Sequence, residues 1–144
     1  MLPYSGILTA AGYSSRMGSL KALLPWKGTT LIRHQVSALK DGGCSEVVVV
    51  VGYRSQDIRS ELSDQEIVYA ENPNYQSGRV SSIKAGIEAS STKSRGFVLL
   101  GVDQPRTITI VSELLRAHIE HDSILTSPRY EGKGGHPVIF SAQL

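Results

Sequence analysis

The sequence predicts a three-layer α/β fold with a mostly parallel sheet, and two observations predict it. Apolar segments of strand length alternate along the chain with segments of helical periodicity, which is typical of a sheet covered by helices on both faces. Residues 46–52 and 96–102 are also apolar nearly throughout, as expected of strands buried on both faces of a parallel sheet. With 144 residues, the chain has the length of one domain, residues 1–144.

The first half of the chain contains three predicted strands and two predicted helices. Residues 7–9 start the first strand, and Thr30 is placed to cap a helix of about ten residues before a Gly-Gly pair. Residues 46–52 form the second strand, Ser55 is expected to cap a short helix, and residues 66–70 form the third strand.

The second half continues the same alternation. An apolar stripe after Gly78 predicts a helix, residues 96–102 the fourth strand, and a second stripe from residue 110 to 119 another helix. Two later strands are expected at residues 124–127 and 137–140. Because ligands of such sheets bind at the carboxyl ends of the strands, side chains that follow the strands should converge on one site.

The segment after the first strand is rich in small residues and contains two basic ones. Gly12 and Gly18 let backbone N–H groups approach an anion, and Arg16 and Lys21 add positive charge suited to phosphate oxygens. Five residues separate the two glycines, so the segment is not a Walker A loop, and it lacks the dinucleotide pattern G-x-G-x-x-G. A polar strand-to-helix turn without ligand is the alternative interpretation.

The order Leu-x-Ala-Ala-Gly-x-Ser-x-Arg-Met-Gly-x-x-Lys at residues 8–21 resembles the signature of the MobA-like nucleotidyltransferases. The resemblance continues through Asp103-Gln104-Pro105 and through residues 135–137, Gly-His-Pro, and so covers essentially the whole chain. It implies a Rossmann-like fold of the GT-A type. It also implies a reaction that joins a nucleoside monophosphate to a phosphorylated acceptor and releases pyrophosphate.

The resemblance also implies which residues form the site. Arg16 and Lys21 are expected to hold the triphosphate, and Asp103 is expected to hold Mg²⁺, because it follows an apolar strand where a buried carboxylate needs a partner. Together these three are the catalytic candidates. The other expected ligand contacts are Leu8, Ala10, Ala11, Gly12, Asn72, Ser82 and His136.

Four of these residues have a structural alternative, and that of Lys21 is a solvated surface side chain. Asp103 could cap the turn before Pro105, and Ser82 could merely tolerate the first turn of a helix. His136 could contact an acceptor phosphate or be a turn histidine oriented by the fold. Asn72 can donate hydrogen bonds to a base or ribose and accept them.

Several details favour cytosine over guanine as the base. The loop has Ala10-Ala11 in place of two glycines, Leu20 precedes the lysine, and Asp-Gln-Pro resembles the molybdenum cofactor cytidylyltransferase branch of the family. We therefore expect CTP as donor and a molybdopterin phosphate as acceptor. A sugar phosphate or polyol phosphate acceptor remains an alternative, and so does a nucleotide-binding or chaperone-like module without turnover.

The composition of the chain bears on whether it binds nucleic acid or membranes and on the cellular compartment in which it works. The formal charge of +2 is too small and scattered to indicate nucleic-acid binding. No apolar stretch has membrane-spanning length, no signal peptide is evident, and the single cysteine, Cys44, suits a reducing cytoplasm. We expect a cytoplasmic protein without nucleic-acid or membrane partners.

The chain ends shortly after a predicted strand, whereas family members usually continue with a helix, a last strand and a second acidic metal ligand. We therefore expect a C-terminally truncated domain with weak metal binding. An uncovered strand edge and helix-binding face should also reduce stability and promote self-association.

Overall fold

A computed structural model describes residues 2–11, 20–130 and 133–143 of the chain. Its strands are β1 (Leu2–Thr9), β2 (Pro25–Trp26), β3 (Thr29–Thr30), β4 (Cys44–Val51), β5 (Val68–Glu71), β6 (Gly96–Gly101), β7 (Leu125–Thr126), β8 (Arg129–Tyr130), β9 (Lys133–Gly134) and β10 (Val138–Ser141). The helices are α1 (Leu31–Asp41), α2 (Ser55–Glu61), α3 (Arg79–Ala89) and α4 (Ile108–Glu120). In the described part of the chain the main sheet has six strands in the order β5-β4-β1-β6-β10-β7, and two short ribbons pair β2 with β3 and β8 with β9.

The expected three-layer, mostly parallel architecture is confirmed. Strands β5, β4, β1 and β6 are parallel neighbours, and β10 runs antiparallel between β6 and β7. Helices α1, α2 and α4 pack on one face of the sheet and α3 on the other. Consecutive side chains of β1 point to opposite faces of the sheet. Leu8 packs on the face covered by α1, α2 and α4, and Ile7 packs on the face covered by α3.

The two predicted helix starts have different outcomes. Thr30 does cap α1, since its hydroxyl oxygen accepts a hydrogen bond from the Arg33 N–H at 3.4 Å. The prediction that Ser55 caps α2 is wrong, because Ser55 is the first residue within the helix. The cap is Arg54, which has a left-handed backbone (φ 52°) and makes no capping side-chain hydrogen bond.

Other boundaries differ by a few residues. Strand β1 begins at Leu2, five residues earlier than predicted, and β5 begins at Val68 rather than at residue 66. The β2–β3 ribbon was not predicted. Its turn has positive φ at Lys27 and Gly28, and a Lys-Gly pair signals such a turn less clearly than Asn-Gly.

Helix α3 lies unusually close to the sheet because Gly86 faces it. A Cβ at position 86 would lie 2.5 Å from Cγ2 of Ile7 and 3.1 Å from Cγ2 of Val50. Only glycine lets the helix approach β1 and β4 at this distance. This close contact fixes where the N-terminus of α3 stands beside the strand ends.

The carboxyl ends of the parallel strands meet at one edge of the sheet, as predicted. Ala10 follows β1, Asn72 follows β5, and Asp103 follows β6 after one intervening residue. Among the described residues, none of the helices combines the length and the apolar character that crossing a membrane requires.

Candidate nucleotide-binding site

An open cavity of about 330 Å³ lies at this edge of the sheet, between the ends of β1 and β6 and the start of α3. Its described lining is Thr9, Ala10, Ala11, Leu20, Lys21, Ala22, Tyr75, Gly78, Arg79, Ser82, Gly101, Val102, Asp103 and Gln104. The lining thus combines small apolar walls with Lys21, Arg79 and Asp103 as charged groups.

Five of the predicted site residues line this cavity together: Ala10, Ala11, Lys21, Ser82 and Asp103. The predicted residues Gly12 and Arg16 lie outside the described residues. Leu8 is fully buried in the core beneath the cavity, so its side chain is not available to a ligand.

Asp103 is exposed in the turn that follows β6. The expectation that it is a buried carboxylate in need of a partner is therefore wrong, because the chain turns outward before reaching it. Within the described part of the chain, Asp103 makes no ion pair. Its Oδ1 lies only 3.0 Å from the place of a Cβ on Gly101, so the glycine leaves the room that the carboxylate needs.

The backbone around Asp103 is held by a side chain from another element. We call residues 101–106 the Asp103 segment. The side-chain Nε2 of Gln35, in α1, lies 3.1 Å from the carbonyl oxygen of Gly101, 3.3 Å from that of Val102 and 2.8 Å from that of Gln104. Oε1 of Gln35 accepts from the Arg106 N–H at 3.2 Å.

Asn72 holds the other side of the cavity in a similar manner. We call residues 72–78 the Asn72 segment. Asn72 Nδ2 donates to the hydroxyl oxygens of Ser81 at 3.0 Å and Ser82 at 2.9 Å, and its Oδ1 accepts from the Asn74 N–H at 3.0 Å. Asn72 is almost fully buried behind the cavity wall, and both ends of its amide are occupied by protein groups.

His136 is also buried, with 8% of its surface exposed. Its Nδ1 accepts from the Gly101 N–H at 3.2 Å, its carbonyl oxygen accepts from Arg106 Nε at 2.8 Å, and its ring contacts the Arg79 guanidinium. Burial, helped by the nearby Arg79 and Arg106 charges and opposed by Asp103, lowers the pKa of His136 to about 4. The imidazole is therefore neutral at pH 7.

The donor set suits a metal ion that is shared with a nucleotide. Within residues 2–11, 20–130 and 133–143, no three His, Cys, Asp or Glu side chains come close enough together to hold a metal. Asp103 is the carboxylate on the cavity wall. Magnesium commonly binds through one or two carboxylates, with substrate phosphates and water as the remaining ligands, so Asp103 fits that pattern.

Sequence reasoning missed two groups that the structure brings to the site. Gln35 had no distinguishing signal, because a glutamine on a helix is usually a surface residue. Arg79 starts α3 and lines the cavity, and its position directly after Gly78 was a signal that could have identified it.

Two curated relatives are similar along nearly the whole chain. Nicotine blue oxidoreductase of Paenarthrobacter nicotinovorans is 39% identical over 150 aligned positions, which cover 97% of this chain and 72% of the relative. Molybdenum cofactor cytidylyltransferase of Escherichia coli is 34% identical over 137 positions, covering 94% and 68% respectively.

The fold is shared with solved structures as well. The crystal structure of Rv0371c from Mycobacterium tuberculosis matches with a TM-score of 0.86 and 22% identity, over 99% of this chain and 72% of that one. The family model described as the MobA-like NTP transferase domain matches residues 6–144. The chain therefore belongs to the MobA-like NTP transferase family of nucleotidyltransferases.

Proposed function

We propose that this protein transfers CMP from CTP to the phosphate of a molybdopterin-type acceptor and releases pyrophosphate. One observation carries the proposal: Lys21, Ser82 and Asp103, which are distant in sequence, line the same cavity at the carboxyl ends of the strands. The similarity to a molybdenum cofactor cytidylyltransferase supports the choice of nucleotide and acceptor. A cytoplasmic location belongs to the same proposal.

In this reaction an oxygen of the acceptor phosphate attacks the α-phosphorus of the nucleotide. A new P–O–P linkage forms, the bond from the α-phosphorus to the bridging oxygen breaks, and pyrophosphate leaves with the electron pair. Lys21, together with Arg16, neutralises the negative charge that builds on the departing oxygens. A Mg²⁺ ion held by Asp103 supplies further charge neutralisation when bound.

The proposed base contact is Ser82. Its hydroxyl oxygen accepts from Asn72, so its hydrogen can be donated into the cavity toward an acceptor atom of cytosine. We propose that Asn72 acts by holding Ser82 and the Asn72 segment, since its own amide is occupied. The buried Ala10, Ala11 and Leu20 form walls suited to a flat ring.

The acceptor is proposed to enter on the side of Arg79 and His136. Arg79 lines the cavity as a cation next to the neutral His136, and it offers a guanidinium fork to a phosphate. His136 supports this side by contacting Arg79 and by accepting from the Gly101 N–H.

The test measures pyrophosphate release from CTP and from GTP, with and without Mg²⁺, in the presence of a molybdopterin phosphate or of sugar and polyol phosphates. Guanylyltransferases also occur among the curated relatives, so GTP is the proper competitor. We expect release that needs Mg²⁺, CTP and the molybdopterin acceptor. Nucleotide-dependent thermal stabilisation without release from any acceptor would instead identify a binding module.

A redox function is the second candidate, because the relative with 39% identity is named nicotine blue oxidoreductase. The same cavity would then hold nicotine blue, the compound in the relative's name. Loss of the visible absorbance of nicotine blue on incubation with the protein and a reduced nicotinamide nucleotide as electron donor would support this candidate. No loss of absorbance, together with pyrophosphate release, would eliminate it.

A further inference from the structure

We infer that Gln35 is a positioning residue that sets the location of Asp103 and thereby the affinity of the site for its metal–nucleotide complex. The inference rests on the proposed function for the role of Asp103. It concerns a residue of α1 that is fully buried and does not line the cavity.

The Gln35 side chain spans the whole Asp103 segment. It contacts backbone groups at Gly101, Val102, Gln104 and Arg106, which are 66 to 71 positions away in sequence. Its NH₂ group has two hydrogens. The short contacts with the Gly101 and Gln104 carbonyls use them, and the Val102 carbonyl at 3.3 Å shares one.

The orientation of the amide follows from these partners. The Nε2 atom faces three carbonyl oxygens and Oε1 faces the Arg106 N–H, so the reversed amide would place like groups against each other. Leucine at this position would leave four buried or partly buried backbone groups without this partner. Glutamate would keep the bond to Arg106 but present an oxygen to the three carbonyls.

The same segment makes further hydrogen bonds at both of its ends. His34, the neighbour of Gln35 in α1, lies with Nε2 2.8 Å from the Arg106 carbonyl oxygen, and Arg106 in turn donates to the His136 carbonyl. His136 accepts from the Gly101 N–H. Both ends of the Asp103 segment are therefore fixed through their backbone.

This arrangement leaves the Asp103 carboxylate exposed on a fixed backbone. Since Asp103 makes no ion pair with the residues the structure describes, its position depends on the backbone that carries it. A ligand of a metal must stand within a few tenths of an ångström of its required place. Loosening the segment should thus weaken metal binding without removing the carboxylate.

The first measurement is amide hydrogen exchange across residues 101–106 in wild type, Gln35→Leu and Val36→Ala. Val36 is the next residue of α1, is fully buried and belongs to the hydrophobic core, so its truncation to alanine is the control for a general loss of stability. We expect exchange to rise about tenfold in Gln35→Leu relative to Val36→Ala, from lost hydrogen bonds. Equal exchange in the two variants would overturn the inference.

The second measurement is the Mg²⁺ concentration that half-saturates pyrophosphate release. It should rise at least about fivefold in Gln35→Leu and stay within twofold of wild type in Val36→Ala. A loosened segment with an unchanged half-saturating concentration would contradict a positioning role. If wild type releases no pyrophosphate, the proposed function fails, whereas hydrogen exchange still decides whether Gln35 holds the segment.

Gln35→Glu keeps the inference testable if Gln35→Leu does not fold. Its carboxyl group can donate to a backbone carbonyl only when protonated. The exchange rate of residues 101–106 in Gln35→Glu, divided by that of wild type at each pH, should therefore fall as the pH is lowered from 8 to 5. A ratio that does not change with pH would contradict the inference.

Discussion

The Asp103 segment and the Asn72 segment flank the same cavity and are held by the same chemistry, but from different distances along the chain. Each follows a parallel strand, β6 or β5, and each is bound by one buried amide side chain. Asn72 reaches groups within ten positions of itself, whereas Gln35 reaches groups 66 to 71 positions away. The hydrogen bonds of Asn72 are thus local in sequence, whereas those of Gln35 depend on tertiary structure.

The difference teaches which supporting residues a sequence can reveal. Asn72 attracts attention because its partners Ser81 and Ser82 follow within ten positions in the same stretch of polar residues. Gln35 stands in an amphipathic helix between His34 and Val36, and nothing nearby in sequence indicates that its side chain points at a distant turn. The comparison also predicts that the two segments respond independently to substitution.

The largest effect is expected for Asp103→Asn. The substitution keeps the size of the side chain but removes the charge that attracts a divalent cation, so Mg²⁺-dependent turnover should fall about 10³-fold. The free energy of unfolding should stay within about 0.5 kcal/mol of wild type, because the side chain is exposed. Wild-type turnover at limiting Mg²⁺ would show that Asp103 does not serve the metal.

Asn72→Ala should destabilise the fold by about 2–3 kcal/mol, because it removes three hydrogen bonds of a buried amide and leaves the buried Ser82 hydroxyl without its donor. Chemical denaturation measures the change, and Asn74→Ala, an exposed asparagine two positions on, is the matched control. Hydrogen exchange of residues 101–106 should be the same as in wild type. Faster exchange there would show that the two segments are coupled, and it would contradict the prediction that they respond independently to substitution.

His136→Gln tests another residue that contacts the Asp103 segment, through the pH dependence of the free energy of unfolding. The pKa of His136 is about 4 when folded and near 6.5 when unfolded, so the unfolded chain binds the extra proton between these values. The contribution of the neutral His136 to the free energy of unfolding is therefore complete above pH 6.5 and is lost as the pH falls toward 4.

Between pH 6.5 and 4, the free energy of unfolding of His136→Gln should therefore fall by about 2 kcal/mol less than that of wild type. His118, whose pKa burial also lowers, is present in both proteins and cancels from the difference. If the free energy of unfolding changed with pH in the same way in both proteins, His136 would not be a buried neutral imidazole.

The smallest effect separates two neighbouring serines that Asn72 binds. Ser82 lines the cavity, whereas the Ser81 hydroxyl donates to the backbone carbonyls of Gly78 and Asn74. Ser82→Ala should weaken CTP binding about five- to tenfold, from the loss of one hydrogen bond, and Ser81→Ala less than twofold. Calorimetric titration checks both, and equal losses would remove Ser82 as the base contact.

The sequence was sufficient for the sheet and for the place of the cavity, because continuous β-branched strands and strand-end polar residues have local signals. It was insufficient where geometry is decided by distant contacts. The outward turn that exposes Asp103, the left-handed Arg54 before α2 and the inward-facing Gln35 all depend on what packs against them. The roles of the predicted site residues toward a ligand stay predictions of the family resemblance, and Leu8 could serve one only through its backbone, because its side chain is fully buried.

The most direct test of the central claim is a titration with MgCTP followed by the backbone amide signals of the chain. We expect the largest shifts in residues 78–82, at the start of α3, and in residues 101–104 of the Asp103 segment, because both ranges border the cavity. Saturation should disappear in Asp103→Asn. Residues 44–47 and 66–68, which line a separate cavity that does not include these groups, should not shift. Shifts confined to that second region, or none in residues 101–104, would contradict the account.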